Sequence, residues 1–131
     1  MRNDGFVNLH LHTEYSLLDG ACRIRELFPR LKELGQTAAA ITDHGNMYGA
    51  VEFWNEAKKY GIKPIIGCEV YVAPRGRHDK EPRIDQQPYH LILLCENNEG
   101  YRNLVKLVSL ASIEGFYNKP RVDIEILRKY H

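Results

Sequence analysis

Short apolar runs alternate with helix-like stretches along this chain, and no other feature of the sequence restricts the fold as strongly. Four runs have the composition of strands: residues 6–12, TAAAITDHG, IKPIIGCEVYVAP and PYHLILLCEN. Apolar residues at helical spacing cover about 23–34, 47–61 and 99–113, and a short last helix is predicted to begin at Asp123. Strands that alternate with helices form a mostly parallel sheet. We therefore predict an α/β fold of parallel-strand β/α units, open or rolled into a barrel.

The same periodicity predicts which helix faces are buried. In the first helix, one face carries four apolar residues: Ile24, Leu27, Leu31 and Leu34. Pro29 lies inside this helix and is expected to kink or shorten it, because proline has no N–H to donate to the preceding turn. In the second helix, Val51 and Trp54 are expected to face inward. The polar segment 73–87, APRGRHDKEPRIDQQ, is predicted to be a solvated and mobile surface loop.

Composition limits the class of protein. The chain has 131 residues, 44% of them hydrophobic and 27% charged, and a formal net charge of +1. These values fit one globular unit rather than a strongly basic nucleic-acid-binding module. No apolar run approaches the roughly 18 residues of a membrane span, and the N-terminus lacks the apolar segment of a signal peptide. Cys22, Cys68 and Cys95 form no CxxC pair, so we predict reduced thiols in a cytoplasmic protein with no membrane partner.

Imidazoles and carboxylates occur where the predicted strands end. The first three strands supply five such residues: His10 and His12, then Asp43 and His44, then Glu69. Residues at i and i+2 of a strand share a face, so His10 and His12 should project side by side. Asp19 lies on the loop that follows them. Because functional groups of parallel α/β folds gather at the C-terminal ends of the strands, we predict that these residues converge on one rim.

Each of these residues also has a simpler interpretation. The histidine pair could mark the end of a strand, and Asp19 before Gly20 could serve only as a turn residue. Asp43 could cap a helix, or it could hydrogen-bond to the second nitrogen of a ligating imidazole. Glu69 lies in an apolar strand, where a carboxylate without a partner is costly, so a ligand role is favoured there.

A mixed set of imidazoles and carboxylates suits zinc, manganese or iron better than magnesium, which prefers oxygen ligands. More than four candidate ligands indicate a site for two or three metal ions. Such sites activate water and clamp both oxygens of a phosphoryl displacement. The residues alone therefore favour metal-dependent phosphoester hydrolysis, with a purely structural metal site as the alternative.

The HxH, ITDHG and GCE motifs, in this order, resemble those of the polymerase and histidinol phosphatase (PHP) family. Longer strings, such as FVNLHLHTEYSLLDG and YHLILLCENNEGYRNLVKLVS, are similar to the PHP domains at the N-termini of the catalytic subunits of bacterial replicative DNA polymerases. The resemblance implies a distorted seven-stranded barrel whose cleft holds up to three divalent ions, Zn²⁺ or Mn²⁺. Residues 1–131 would be the N-terminal part of such a domain, roughly its first half.

Carried over by motif, the resemblance assigns metal ligation to six residues: His10, His12, Asp19, His44, Glu69 and His90. It assigns Asp43 to a supporting position behind the ligands. His90 rests on the resemblance alone, because it opens the fourth predicted strand instead of closing it. The later family motifs, a cysteine or histidine, a further histidine and a closing DxH, have no counterpart in this chain.

The resemblance also implies a function for the parent protein. It would be a DNA-directed DNA polymerase that works with DNA and with the other subunits of the replicative holoenzyme. Phosphoesterase or 3′–5′ exonuclease activity would belong to the complete PHP domain, of which this segment is a part. The alternatives are a structural metal-binding scaffold for the polymerase and a free-standing phosphatase of the histidinol phosphatase type. The isolated chain is expected to be inactive and to self-associate, since its fourth strand lacks a next neighbour.

Overall fold

The computed structural model describes residues 5–131. A 3₁₀ helix, Glu14–Asp19, precedes all other elements. Four α-helices follow: α1 Ile24–Glu33, α2 Ala50–Tyr60, α3 Asn98–Ile113 and α4 Ile124–Lys129. The four strands are β1 Ala38–Ile41, β2 Lys63–Val72, β3 Tyr89–Leu94 and β4 Arg121–Val122. Within residues 5–131, every helix is too short or too polar to cross a bilayer.

The ten-residue strand β2 organises the sheet. Its first half pairs in parallel with β1, and its last residues pair in parallel with β4. The α/β class with parallel strands is therefore confirmed. β3 departs from the predicted arrangement, because it runs antiparallel to β2, with His90 opposite Tyr71. The segment between β2 and β3 contains no helix to return the chain to the other end of the sheet, so the two strands are joined as in a hairpin.

The predicted first strand, residues 6–12, lies beside β1 without forming a continuous ladder. Asn8 makes one isolated parallel bridge to Ala39. Further along, the N–H of Leu11 donates to the side-chain Oγ1 of Thr42 at 2.8 Å instead of to a carbonyl. Leu11 is buried, whereas Leu9 is exposed. His10 and His12 nevertheless project to the same side of the segment, as predicted, because both imidazoles contact Glu69.

Two hydrophobic clusters follow each other along the sheet, and Met47 and Cys95 pack against both. The first packs α1 and α2 against β1 and the start of β2, through residues that include Ile24, Phe28, Leu31, Ile41, Phe53, Ala57 and Ile66. The second packs α3 and α4 against the rest of β2, through residues that include Cys68, Val70, Leu104, Leu107, Val122 and Ile126. All three cysteines are free thiols, as predicted.

Parts of the predicted helix faces are wrong. Val51 and Trp54 are 67% and 43% exposed, and α2 instead buries the narrow stripe of Ala50, Phe53 and Ala57. In α1 the buried stripe is Ile24, Phe28 and Leu31, whereas Leu34 is exposed. In α2 the predicted face is one residue away from the buried one. In α1 Ile24, Leu27 and Leu31 contact the first cluster as predicted, and Leu34 is exposed because it follows the last helical residue. α1 also continues through Pro29 to Glu33.

The segment 73–87 is a loop whose side chains are mostly exposed, as predicted, but it is also bonded internally. Arg75 forms an ion pair with Asp85, whose side chain is fully buried. The hydrogen bond from Arg75 holds the pKa of Asp85 at about 2. Behind the loop, the fully buried guanidinium of Arg121 donates to the carbonyls of four residues: Arg77, Asp79, Asp85 and Gly115. The Arg75–Asp85 pair therefore closes the loop on itself, and Arg121 holds it against the body of the chain.

Candidate metal centre

His10, His12 and Glu69 meet at the C-terminal half of β2. The two imidazoles project from the same side of the extended N-terminal segment, as residues at i and i+2 do. Nε2 of His10 and Nε2 of His12 each lie 2.6 Å from Oε2 of Glu69. The two nitrogens are 3.0 Å from each other. Three donor atoms therefore point at one position.

Asp19 and His44 form the next part of the cluster. The 3₁₀ helix Glu14–Asp19 turns the chain back so that Oδ2 of Asp19 lies 2.6 Å from Nε2 of His44. The same oxygen lies 3.8 Å from Nδ1 of His12. His44 follows β1 and forms an isolated parallel bridge to Glu69, which aligns the two elements.

His90 reaches the cluster because β3 is antiparallel. The start of β3 lies beside the end of β2, so a histidine that opens its strand arrives at the same rim. Nδ1 of His90 lies 2.5 Å from Oε1 of Glu69, and Nδ1 of His44 lies 3.7 Å from that oxygen. Sequence spacing offered no reason to place His90 there, whereas the antiparallel direction of β3 explains its position.

The six residues form three overlapping groups, in each of which the ligand atoms lie within 4.8 Å of one another. The first group is His10, His12 and Glu69. The second group is His12, Asp19 and His44. The third group is His44, Glu69 and His90. The structure thus brings together all six residues to which the family resemblance assigned a ligand position.

The electrostatics of the cluster suit a cation. Burial raises the pKa of Glu69, but hydrogen bonds with His90, His12 and His10 outweigh it and bring the pKa to about 2. Glu69 is therefore an ionised carboxylate in a buried position, 4% exposed. Nδ1 of His44 is buried and makes no hydrogen bond to any of the described residues. An unsatisfied nitrogen that faces a buried carboxylate, among further imidazoles, fits the donor set of a divalent metal ion.

Asp43 supports the cluster differently from the predicted arrangement. Its carboxylate accepts hydrogen bonds from the backbone N–H of Thr13 at 2.6 Å, the hydroxyl of Thr13 at 2.7 Å and the hydroxyl of Ser16 at 2.6 Å. Among residues 5–131 it makes no hydrogen bond to a histidine, so the expected bond to a ligating imidazole is absent. Ser16 in turn accepts from the N–H of His44. Asp43 therefore holds the turn between His12 and Asp19 in place.

Tyr71 borders the cluster and was not recognised from the sequence. Its ring stacks on His44 at a centroid distance of 5.9 Å and meets His90 edge-on at 5.0 Å. Burial raises the pKa of Tyr71, with the charges of Glu69 and Asp19 adding to the effect. The available signal was its position two residues after Glu69, which places both on one face of β2.

Cys68 is not part of the cluster. It lies next to Glu69 in β2, and its side chain therefore points to the opposite face, into the second hydrophobic cluster. Burial raises the pKa of its thiol to about 12. A neutral, buried thiol is a core residue, as the sequence predicted.

Comparison with known protein families identifies the domain. The model of the PHP domain family matches residues 8–131. The chain belongs to the PHP domain family. The chain is also 53% identical over 131 residues to the DNA polymerase III subunit alpha of Treponema pallidum, and 48% identical over 126 residues to that of Borreliella burgdorferi. These matches cover 99% and 95% of this chain but 11% of each relative, so the PHP-family chain spans about a tenth of their length.

Two solved structures share the fold. An amidohydrolase from Chromobacterium violaceum, with bound sulfate and no metal, has a TM-score of 0.57 and 25% sequence identity. A candidate metal-dependent phosphoesterase from Bifidobacterium adolescentis has a TM-score of 0.55 and 19% identity, which shows the fold alone. Each match covers 80% of this chain and 32% of the other.

Proposed function

We propose that this part of a PHP domain binds divalent metal ions, Zn²⁺ or Mn²⁺, and that the complete domain hydrolyses phosphoesters. The observation that carries the proposal is the convergence of imidazole and carboxylate donors on the ionised carboxylate of Glu69. The proposed ligands are the members of the three groups: His10, His12, Asp19, His44, Glu69 and His90.

The number of ions follows from the lone pairs of the ligands. A neutral imidazole offers one lone pair, because its other nitrogen carries a proton. His12 belongs to the first and second groups and His44 to the second and third, so the three groups cannot all be filled at once. Glu69 can serve two groups through its two oxygens. We expect two ions, in the first and third groups. Asp19 belongs only to the second group, so it would bind a third ion only together with ligands from outside these six residues.

The side chains have separate tasks in such a site. Glu69 directs Oε2 towards His10 and His12, whereas its Oε1 faces His90. Asp43 holds the turn that follows His10 and His12, so both imidazoles are held in place before a metal ion binds. A divalent ion in this setting supplies an activated water molecule and neutralises charge on phosphoryl oxygens.

The wider assignment rests on the relatives. We infer that the chain is the N-terminal part of the PHP domain of a DNA polymerase III alpha subunit, because relatives with that name match nearly all of it. The parent protein would then act on DNA as a DNA-directed DNA polymerase, together with the other subunits of its holoenzyme, in the cytoplasm. Phosphodiester or 3′–5′ exonuclease activity would belong to the complete PHP domain.

Metal content tests the proposed site. The chain is dialysed against Zn²⁺ or Mn²⁺, and bound metal is measured by plasma mass spectrometry. We expect two ions per chain, and loss of both in Glu69→Gln, since Glu69 belongs to the first and third groups. The control is His131→Ala, which removes an exposed histidine outside the cluster. Equal metal content in Glu69→Gln and the unmodified chain would refute the site.

A second measurement separates a catalytic metal from a structural one. Phosphodiester hydrolysis is assayed in the full-length polypeptide that carries this segment, with and without His12→Ala. Turnover that requires His12 supports hydrolysis. Bound metal without turnover, combined with a lower unfolding temperature after metal removal, would favour a structural scaffold instead.

A further inference from the structure

Lys119 lies beside the candidate metal centre and forms no ion pair with any carboxylate of residues 5–131. Nζ of Lys119 lies 4.5 Å from the centroid of the Tyr71 ring. That ring is the one that stacks on His44 and meets His90 edge-on. Lys119 is exposed, and only one aromatic side chain separates its ammonium from two of the proposed ligands. The ammonium therefore lies at the rim of the cluster.

The backbone holds Lys119 in this position. Asn118 adopts a left-handed conformation with φ of 59°, and the N–H of Tyr117 donates to the carbonyl of Lys119 at 3.0 Å, which closes a tight turn. Pro120 packs against Gly45, the residue after His44, so closely that a Cβ added at Gly45 would lie 2.9 Å from Cγ of the proline. The turn is thus anchored on the segment that carries a proposed ligand.

The ammonium of Lys119 and the carboxylates of the cluster do not neutralise each other. Three carboxylates, those of Asp19, Asp43 and Glu69, lie in or behind the cluster, and within residues 5–131 none forms an ion pair with a lysine or arginine. Lys119 in turn has no carboxylate within ion-pairing distance in the described part of the chain. An ammonium with an aromatic ring as its partner remains able to bind an anion that arrives from solvent.

We propose that Lys119 binds the phosphate of the substrate, donating to a non-bridging oxygen while the phosphoryl group lies at the metal centre. This role rests on the proposed function and adds a substrate-binding residue to it. Lysine binds phosphate as a point charge with rotatable donors, which suits a group that must reach over the edge of Tyr71. The residue would therefore raise the affinity for the anion and leave the affinity for the metal unchanged.

Binding of inorganic phosphate to the Mn²⁺-loaded chain, measured by titration calorimetry, tests this role. Lys119→Met removes the charge but keeps an unbranched side chain over Tyr71, and it should weaken phosphate binding about tenfold, or about 1.4 kcal/mol. Lys119→Arg keeps the charge and should retain most of the affinity. The matched control is Lys58→Met, which removes an ammonium placed 5.0 Å over the Trp54 ring near the far end of α2. We expect this control to bind phosphate as the unmodified chain does.

Metal content and the urea midpoint of unfolding are measured on the same samples. Unchanged metal content and midpoint in Lys119→Met, together with weaker phosphate binding, support the proposal. Unchanged phosphate affinity in Lys119→Met, or no phosphate binding by the unmodified metal-loaded chain, overturns the role of Lys119 but does not affect the proposed metal site. A loss of Mn²⁺ or of stability in Lys119→Met would assign Lys119 to the fold and also overturn it. An unmodified chain that binds no metal would refute the proposed function, and the role of Lys119 with it.

Discussion

Replacing Arg121 by methionine should lower the free energy of unfolding by about 4 kcal/mol. The guanidinium is fully buried and donates to four carbonyls, at distances between 2.8 and 3.2 Å. The bonds to Gly115 and Asp85 are buried, whereas those to Arg77 and Asp79 are partly accessible to water. A buried acceptor that loses its donor costs about 1–3 kcal/mol, and water can satisfy the two accessible carbonyls, so the two buried ones set the magnitude.

This loss would be a large share of the total stability, since domains of this size are stable by about 5–15 kcal/mol. Urea unfolding followed by circular dichroism gives the change in free energy. Limited proteolysis reports whether the 73–87 loop opens. Arg102→Met is the control, because Arg102 lies on the exposed face of α3 and should change stability by no more than about 0.5 kcal/mol. If Arg121→Met matched this control and the loop stayed protected, the guanidinium would not be what holds the loop, and the reasoning would be refuted.

Three further predictions concern acid, assembly and activity. Since its hydrogen bond with Arg75 lowers the pKa of Asp85 from 3.8 to about 2, Asp85 stabilises the fold above its usual pKa and loses that effect as the pH falls through 2. The urea midpoints of the unmodified chain and of Asp85→Asn should therefore converge between about pH 4 and pH 2, and a constant gap would contradict the assignment. Strand β3 pairs only with β2 among the described residues and exposes Tyr89, Leu91 and Leu94, so sedimentation velocity should show self-association. Leu91→Lys should reduce that association, whereas Val105→Lys, on the exposed surface of α3, should not. If the unmodified chain were a monomer at all concentrations, the prediction of self-association would be wrong. The chain alone should hydrolyse no phosphodiester, because its six candidate ligands complete only two of three groups, and turnover that depends on His10 would disprove this.

Local patterns in the sequence were sufficient for much of the site. The alternation of His10 and His12 places both imidazoles on one side of any extended segment, whatever the rest of the fold does. Asp43, His44 and Glu69 follow or lie within strand-like runs, and the ends of neighbouring parallel strands meet at one edge of a sheet. These inferences needed only backbone geometry, which is the same in every protein.

Contacts between distant residues needed the tertiary structure. His90 joins the cluster because β3 is antiparallel, and Arg121 is buried because loop carbonyls from four positions converge on it. Likewise, α2 buries Phe53 and not Trp54 because of the surface against which it packs. A repeating pattern records the geometry of one element. The direction of a strand, the partner of a buried charge and the buried face of a helix depend on packing between elements, where many weak contacts far apart in the chain decide together.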